Sequence, residues 1–293
     1  MKIDPFLCPG RPGKPLAVFV HGMGMDASIW SSPTDARVLA GRYPVTILLR
    51  DHDLEMRTAF MDLRDLGYPV LTWSQSRPVG PIGIAVEELC EVISRHSPSA
   101  SSGILLICHS RGGLIARKYL ETPDRRVQFL ATLSTPHRGT TLARWATYVS
   151  PLASFLDRCI EKAVRREART ALLRILGFLG SDGLKELLPG SSFYGGLHDS
   201  PQAGARYVSV GGTSPDLLRL NGRTLPEVMA RFIPKQGLPP EMREGEGDGL
   251  VSRASSVMPF ADRHHDFPVN HASILFDPVV RQTLLAELQS LSL

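Results

Sequence analysis

Ser110 follows four aliphatic residues, Ile104 to Ile107, and is flanked by Cys108 and by the pair Gly112-Gly113. The unbroken apolar run predicts a buried strand of a parallel sheet. Past the glycines, Leu114, Ile115 and Leu120 recur at helix-like spacing, while Arg117, Lys118 and Glu121 are polar. Strand, tight turn and helix together expose a hydroxyl where a histidine can take its proton and turn it into a nucleophile. The amides that open the helix then face the oxygen that becomes charged in acyl transfer. Small residues two before and two after the serine let strand and helix approach closely. Gly112 meets that need, whereas Cys108 stands where glycine is usual.

A nucleophilic serine needs a base, and the base needs an orienting carboxylate. With the chain order serine, acid, histidine, the base is expected at His271, in Asn270-His-Ala just before a terminal helix. His264 and His265 compete, but their Arg-His-His-Asp setting reads as a charged surface loop. His109 adjoins the nucleophile and its side chain is expected to point away. His21 and His137 come too early in the order. Asp248, between two glycines on a tight turn before Leu-Val-Ser, is the expected acid; Asp216 is its rival, with Asp262 and Asp266 behind. The turn His21-Gly-Met-Gly24 follows the apolar run Leu16 to Val20. It is expected to supply one oxyanion amide from Met23 and to work with a second from Arg111, the backbone N–H groups mattering more than the side chains.

These residues must be held by an alternation of strands and helices. Strands are expected at Leu16–Val20, Tyr68–Trp73, Ile104–Ile107, Val127–Leu133 and Arg206–Gly211; Val45–Leu49 reads equally as strand or loop. Helices are expected over 54–66, stopped by Gly67, over Ile84–Ser94, after Ser110, and over Val279–Leu291, with a short helical pattern near 36–40. Strand–helix alternation implies a doubly wound, mostly parallel sheet with right-handed crossovers. The irregular loop 74–82 reads as a pocket rim. Residues 140–200 break the alternation with Trp145, Tyr148 and a long amphipathic helix whose other face carries six basic residues from Arg158 to Arg174. This is the place for a helical cap or lid over the site.

Composition narrows the classes. With 293 residues and 43% hydrophobic side chains, the chain can bury a large core as one domain. A net charge of +4 is too mild for a nucleic-acid partner, and no aromatic–arginine interleaving suggests one. The four cysteines lack metal-ligand spacing, so no metal or other cofactor is expected, and buried free thiols are. No transmembrane segment and no signal peptide are seen, and a cytoplasmic location is the expectation.

Val20-His-Gly-Met23, Cys108-His-Ser-Arg-Gly-Gly113, Ser134-Thr-Pro-His-Arg-Gly-Thr140, Gly247-Asp-Gly-Leu-Val-Ser252 and Asn270-His-Ala together resemble the α/β-hydrolase superfamily, and within it bacterial lipases and esterases. The resemblance implies one α/β-hydrolase domain over 1–293 with an inserted helical cap or lid at 140–200. It implies Ser110, Asp248 and His271 as the triad, and Met23 and Arg111 as oxyanion donors. It implies hydrolysis of a small-molecule or lipid carboxylic ester through an acyl-serine; the apolar, aromatic-containing cap with its basic outer face suits either a lid in transient contact with a lipid interface or a roof over the pocket. The chain departs from the pattern at Cys108 and carries no calcium-binding carboxylate just beyond His271. The same triad also serves a thioesterase, an amidase or an acyltransferase. A non-catalytic binding scaffold is the reading from another class.

Overall fold

The computed structural model describes residues 3–38, 43–49, 54–142, 182–217, 219–220, 223–224, 226–227 and 237–291. Seven strands form one sheet: β1 (Pro5–Cys8), β2 (Leu16–Val20), β3 (Val70–Trp73), β4 (Ile104–His109), β5 (Val127–Leu133), β6 (Arg206–Gly212) and β7 (Arg263–Phe267). Their spatial order is β1-β3-β2-β4-β5-β6-β7; only β1 runs antiparallel to its neighbour. Strands β2 to β5 are almost wholly buried, as their continuous apolar runs require of strands covered on both faces.

Four helices cover those faces: α1 (Ala59–Asp65), α2 (Ile82–Arg95), α3 (Arg111–Tyr119) and α4 (Pro278–Gln289). Successive residues of β2 point to opposite sides. Ala17 and Phe19 join a core with Phe60 and Leu63 of α1 and Val280 and Leu284 of α4. Leu16, Val18 and Val20 join the opposite core, with Leu89 of α2 and Leu114 of α3. This is the doubly wound α/β arrangement expected from the sequence.

Chain order reverses at β2, which has β3 on one side and β4 on the other. A parallel sheet opens a crevice at such a switch point, outside the carboxyl ends of its strands. The register Val20↔Cys108 brings the ends of β2 and β4 level, so the turns at His21 and Ser110 sit side by side.

Several elements differ from the sequence reading. Edge strands β1 and β7 were not expected; β7 is the Arg-His-His-Asp stretch taken for a loop. Val45–Leu48 is a 3-10 turn, and Arg37–Val38 pairs with Tyr43–Pro44 instead of forming a helix. The amphipathic helix of the expected cap falls in 143–181, outside the described residues. Around it, residues 182–185 and 192–195 form short helical turns. No helix among the described residues is long and apolar enough to cross a membrane, and no group of metal-ligating side chains occurs among them.

Candidate active site

Ser110 sits between β4 and α3 with φ 53° and ψ −127°, a conformation that an L-residue adopts at a cost of about 1–3 kcal/mol. Its surroundings enforce the turn. The Ser110 amide donates to the Leu133 carbonyl at 2.8 Å, and its carbonyl accepts from the Thr135 hydroxyl at 2.8 Å and the Gly113 amide at 3.1 Å. A Cβ on Gly112 would lie 2.5 Å from the Val20 carbonyl oxygen, and one on Gly113 would strike the Thr135 side chain. Both glycines are therefore the cost of packing α3 against β2 and the turn after β5. Cys108, the departure from the usual glycine, is fully buried in the core beneath α3, and burial pushes its thiol well above the ordinary range.

The candidate acid and base, Asp248 and His271, come from two loops at the same sheet end. His271 Nδ1 lies 2.9 Å from Asp248 Oδ2, and both residues are buried. Asp248 Oδ1 accepts from the amides of Leu250 at 2.9 Å and Val251 at 2.7 Å, and the His271 amide donates to the Asp248 carbonyl at 2.9 Å. Burial by itself would raise the Asp248 carboxyl. The positive form of His271, its hydrogen bond and the Leu250 amide outweigh burial and hold the carboxyl below its ordinary value.

Of the rivals, Asp262 and Asp266 have their carboxylates engaged elsewhere. Asp216 gives its backbone carbonyl to Asn270, Asp262 accepts from the Tyr207 amide, and Asp266 lies against Arg253 and His264. His264 is bonded to Ser209 and Asp266, and His265 to Glu287.

Further residues hold the loops. Asn270 accepts from the Ala272 and Ser273 amides and donates to the carbonyls of Leu48 and Asp216. Buried Glu241 accepts from Thr140 and Thr141 through its carboxylate, and its carbonyl accepts from the Gly249 amide at 2.8 Å. It ties the acid loop to the turn after β5. Neither role was visible in the sequence, where Asn270 is only a neighbour of the histidine and Glu241 is one carboxylate of a polar loop.

One expectation about a side chain is corrected. His109 does not point away from the site. It lines the same pocket as Ser110 and His271, its Nε2–H donates to the His271 carbonyl at 2.9 Å, and its ring lies 4.8 Å from the His271 ring. Burial lowers its pKa to about 3, so it remains neutral. The Arg111 side chain is fully buried beside the His21 turn, where burial lowers its pKa to about 10.

The pocket itself is apolar. Met23, Met25, Val38, Leu48, Leu142, Leu184, Leu187, Leu217, Leu250 and Val251 surround Ser110 and His271. The loop 74–82, expected as a pocket rim, is not part of this lining; it braces the His21 turn through the Gly24 amide, which donates to the Pro78 carbonyl at 3.0 Å. The arrangement suits a neutral acyl group whose carbonyl carbon is attacked by a serine.

The sequence pattern of the palmitoyl protein thioesterase family matches residues 17–171, more than half of the chain. The chain belongs to that family. A lipase from Bacillus licheniformis, in its mature form, superposes with a TM-score of 0.60 at 19% identity, over 99% of this chain and 98% of that one. A metagenomic carboxyl esterase superposes with a TM-score of 0.55 at 16% identity, over 96% of this chain and 76% of that one. No curated protein matches by sequence comparison alone. The fold is that of the α/β-hydrolases, and this family member is a serine hydrolase acting on ester bonds.

Proposed function

We propose that the chain hydrolyses carboxylic esters and thioesters of apolar acyl groups through an acyl-serine formed on Ser110. The observation that carries this reading is the buried Asp248–His271 pair beside a strained serine in one apolar pocket. Ser110 Oγ attacks the acyl carbon and His271 Nε2 takes its proton, while ionised Asp248 holds the imidazole with hydrogen on Nδ1. The Met23 and Arg111 amides receive the carbonyl oxygen as it becomes charged. His271 then gives its proton to the departing alcohol or thiol. In the second half, water attacks the acyl-serine, His271 takes the water's proton and returns it to Ser110, and the acid leaves. The single-domain organisation, a cap formed by 140–200 and its contact with a lipid interface belong to the same proposal.

Oxygen and sulfur leaving groups share this intermediate, so the family description, palmitoyl protein thioesterase, and the lipase and esterase likeness favour the same chemistry. The test is hydrolysis of p-nitrophenyl esters from acetate to palmitate beside a palmitoyl thioester, with Ser110→Ala as control. Turnover that disappears in Ser110→Ala and rises with acyl length is the expected result. Turnover retained by Ser110→Ala would remove Ser110 from the reaction. Activity that climbs above the substrate's solubility limit would indicate an interface-seeking cap.

A further inference from the structure

Behind the His21 turn lies a chain of buried polar side chains that the acyl-transfer steps do not use. Arg111 is fully buried, and its guanidinium donates to the Gly80 carbonyl and, at 2.5 Å, to Gln75 Oε1. Gln75, 4% exposed, turns its amide NH2 to the His21 carbonyl at 2.9 Å. Its backbone N–H donates to His21 Nε2 at 3.0 Å, so that nitrogen is the acceptor of the ring. The hydrogen of the neutral ring is then on Nδ1, which donates to the Gly22 carbonyl at 2.8 Å. Burial lowers the His21 pKa to about 4, so this tautomer is kept at neutral pH.

The Gly22 carbonyl and the Met23 N–H belong to one peptide group, which is planar and trans, so they point in opposite directions. Fixing the Gly22 carbonyl on the His21 ring therefore fixes the direction of the Met23 N–H. We propose that Arg111 and Gln75 act as positioning residues for the oxyanion loop. Through His21 they aim the Met23 amide, so that the residue after the nucleophile offers one amide and orients the other. A buried guanidinium is costly to desolvate. Its fork reaches two partners on the 75–80 loop at once, which the point charge of a lysine does not reproduce. This assignment rests on the reading of Ser110 as nucleophile with Met23 and Arg111 as oxyanion donors.

The test compares Gln75→Glu, Gln75→Leu and Arg111→Met with the wild type and with Ser110→Ala. Gln75→Glu keeps an acceptor for Arg111 but sets a carboxylate oxygen against the His21 carbonyl. Each variant is assayed for kcat and KM on one p-nitrophenyl ester, per serine labelled by a fluorophosphonate. Inhibition by an alkylboronic acid, whose tetrahedral adduct places an oxygen in the oxyanion hole, is measured in parallel. Removing an oxyanion donor outright costs about 10²–10³ in kcat. A misaimed donor is expected to cost about 10- to 100-fold in kcat at unchanged KM, with boronate affinity falling in step. Unchanged kcat and boronate affinity would overturn the proposal. So would a fall in thermal stability with kcat per labelled serine intact, or failure of all three variants to fold, since the cluster would then serve the fold alone. Turnover in Ser110→Ala would instead refute the nucleophile assignment beneath it.

Discussion

Asp248→Asn is the sharpest test of the proposed acid–base pair. Asp248 Oδ1 accepts from two backbone amides, Leu250 and Val251, while Oδ2 faces His271 Nδ1. An asparagine keeps the two amides by placing its carbonyl oxygen at the Oδ1 position. Turning the side chain over would strand two buried N–H groups at about 1–3 kcal/mol each. Its NH2 must therefore face His271 Nδ1, which can meet a donor only as an acceptor. The imidazole hydrogen then moves to Nε2, the nitrogen that would have to take the serine proton. Such a wrong-tautomer substitution is expected to lower kcat about 10⁴-fold, roughly 5 kcal/mol of transition-state stabilisation. Because both amides stay satisfied, the thermal midpoint should hardly move. The assay is steady-state hydrolysis of a p-nitrophenyl ester beside Asp216→Asn, which is expected to stay near wild type. Activity of Asp248→Asn within about tenfold of wild type, or a large loss in Asp216→Asn instead, would refute the reasoning.

Ser110→Gly and Ser110→Ala should both abolish turnover, but they should differ in stability. Glycine adopts the φ of 53° without strain, and after its larger chain entropy it should be about 1 kcal/mol more stable than the alanine variant, read from urea midpoints. An alanine variant as stable as the glycine variant would show that the turn is unstrained. The buried histidines predict acid sensitivity. His21 and His109 have burial-lowered pKa values of about 4 and about 3, so the unfolded chain binds their protons first as pH falls below about 6.5. Stability should drop between about pH 6.5 and 4, with His21 alone accounting for roughly 3 kcal/mol. The contribution of Asp248, whose folded carboxyl is depressed, is present above its unfolded pKa and is lost only at lower pH, as the folded pKa is crossed. A thermal midpoint that stays constant from pH 7.5 to 4.5 would contradict neutral burial of these rings.

The central strands were legible because a strand covered on both faces must be apolar throughout: Leu16–Val20 and Val127–Leu133 appear as expected. The edges were not. Strand β7 is Arg-His-His-Asp-Phe, and its hydrogen bonds to β6 are made by backbone that any side chains can carry. Its polar side chains find partners across the edge, His265 on Glu287 and Asp266 on Arg253, instead of marking a loop. Hydrophobic pattern reports burial of side chains, not pairing of the main chain, and it fails where the two part company.

For the site, residue type and chain order single out Ser110, Asp248 and His271 as candidates, because the turn chemistry of each is local, and the structure brings them to one end of the sheet. A serine before two glycines, an aspartate between glycines and a histidine before a helix each carry their setting in a few neighbours. The sequence by itself therefore determined the fold class and offered Ser110, Asp248 and His271 as the candidate nucleophile, acid and base. Only the tertiary structure decided what fixes them. His109 reaches the His271 carbonyl from 162 positions away, Glu241 reaches Thr141 from 100, and Arg111 reaches Gln75 from 36. Contacts between such distant positions are set by strand order and register, and no local pattern records them.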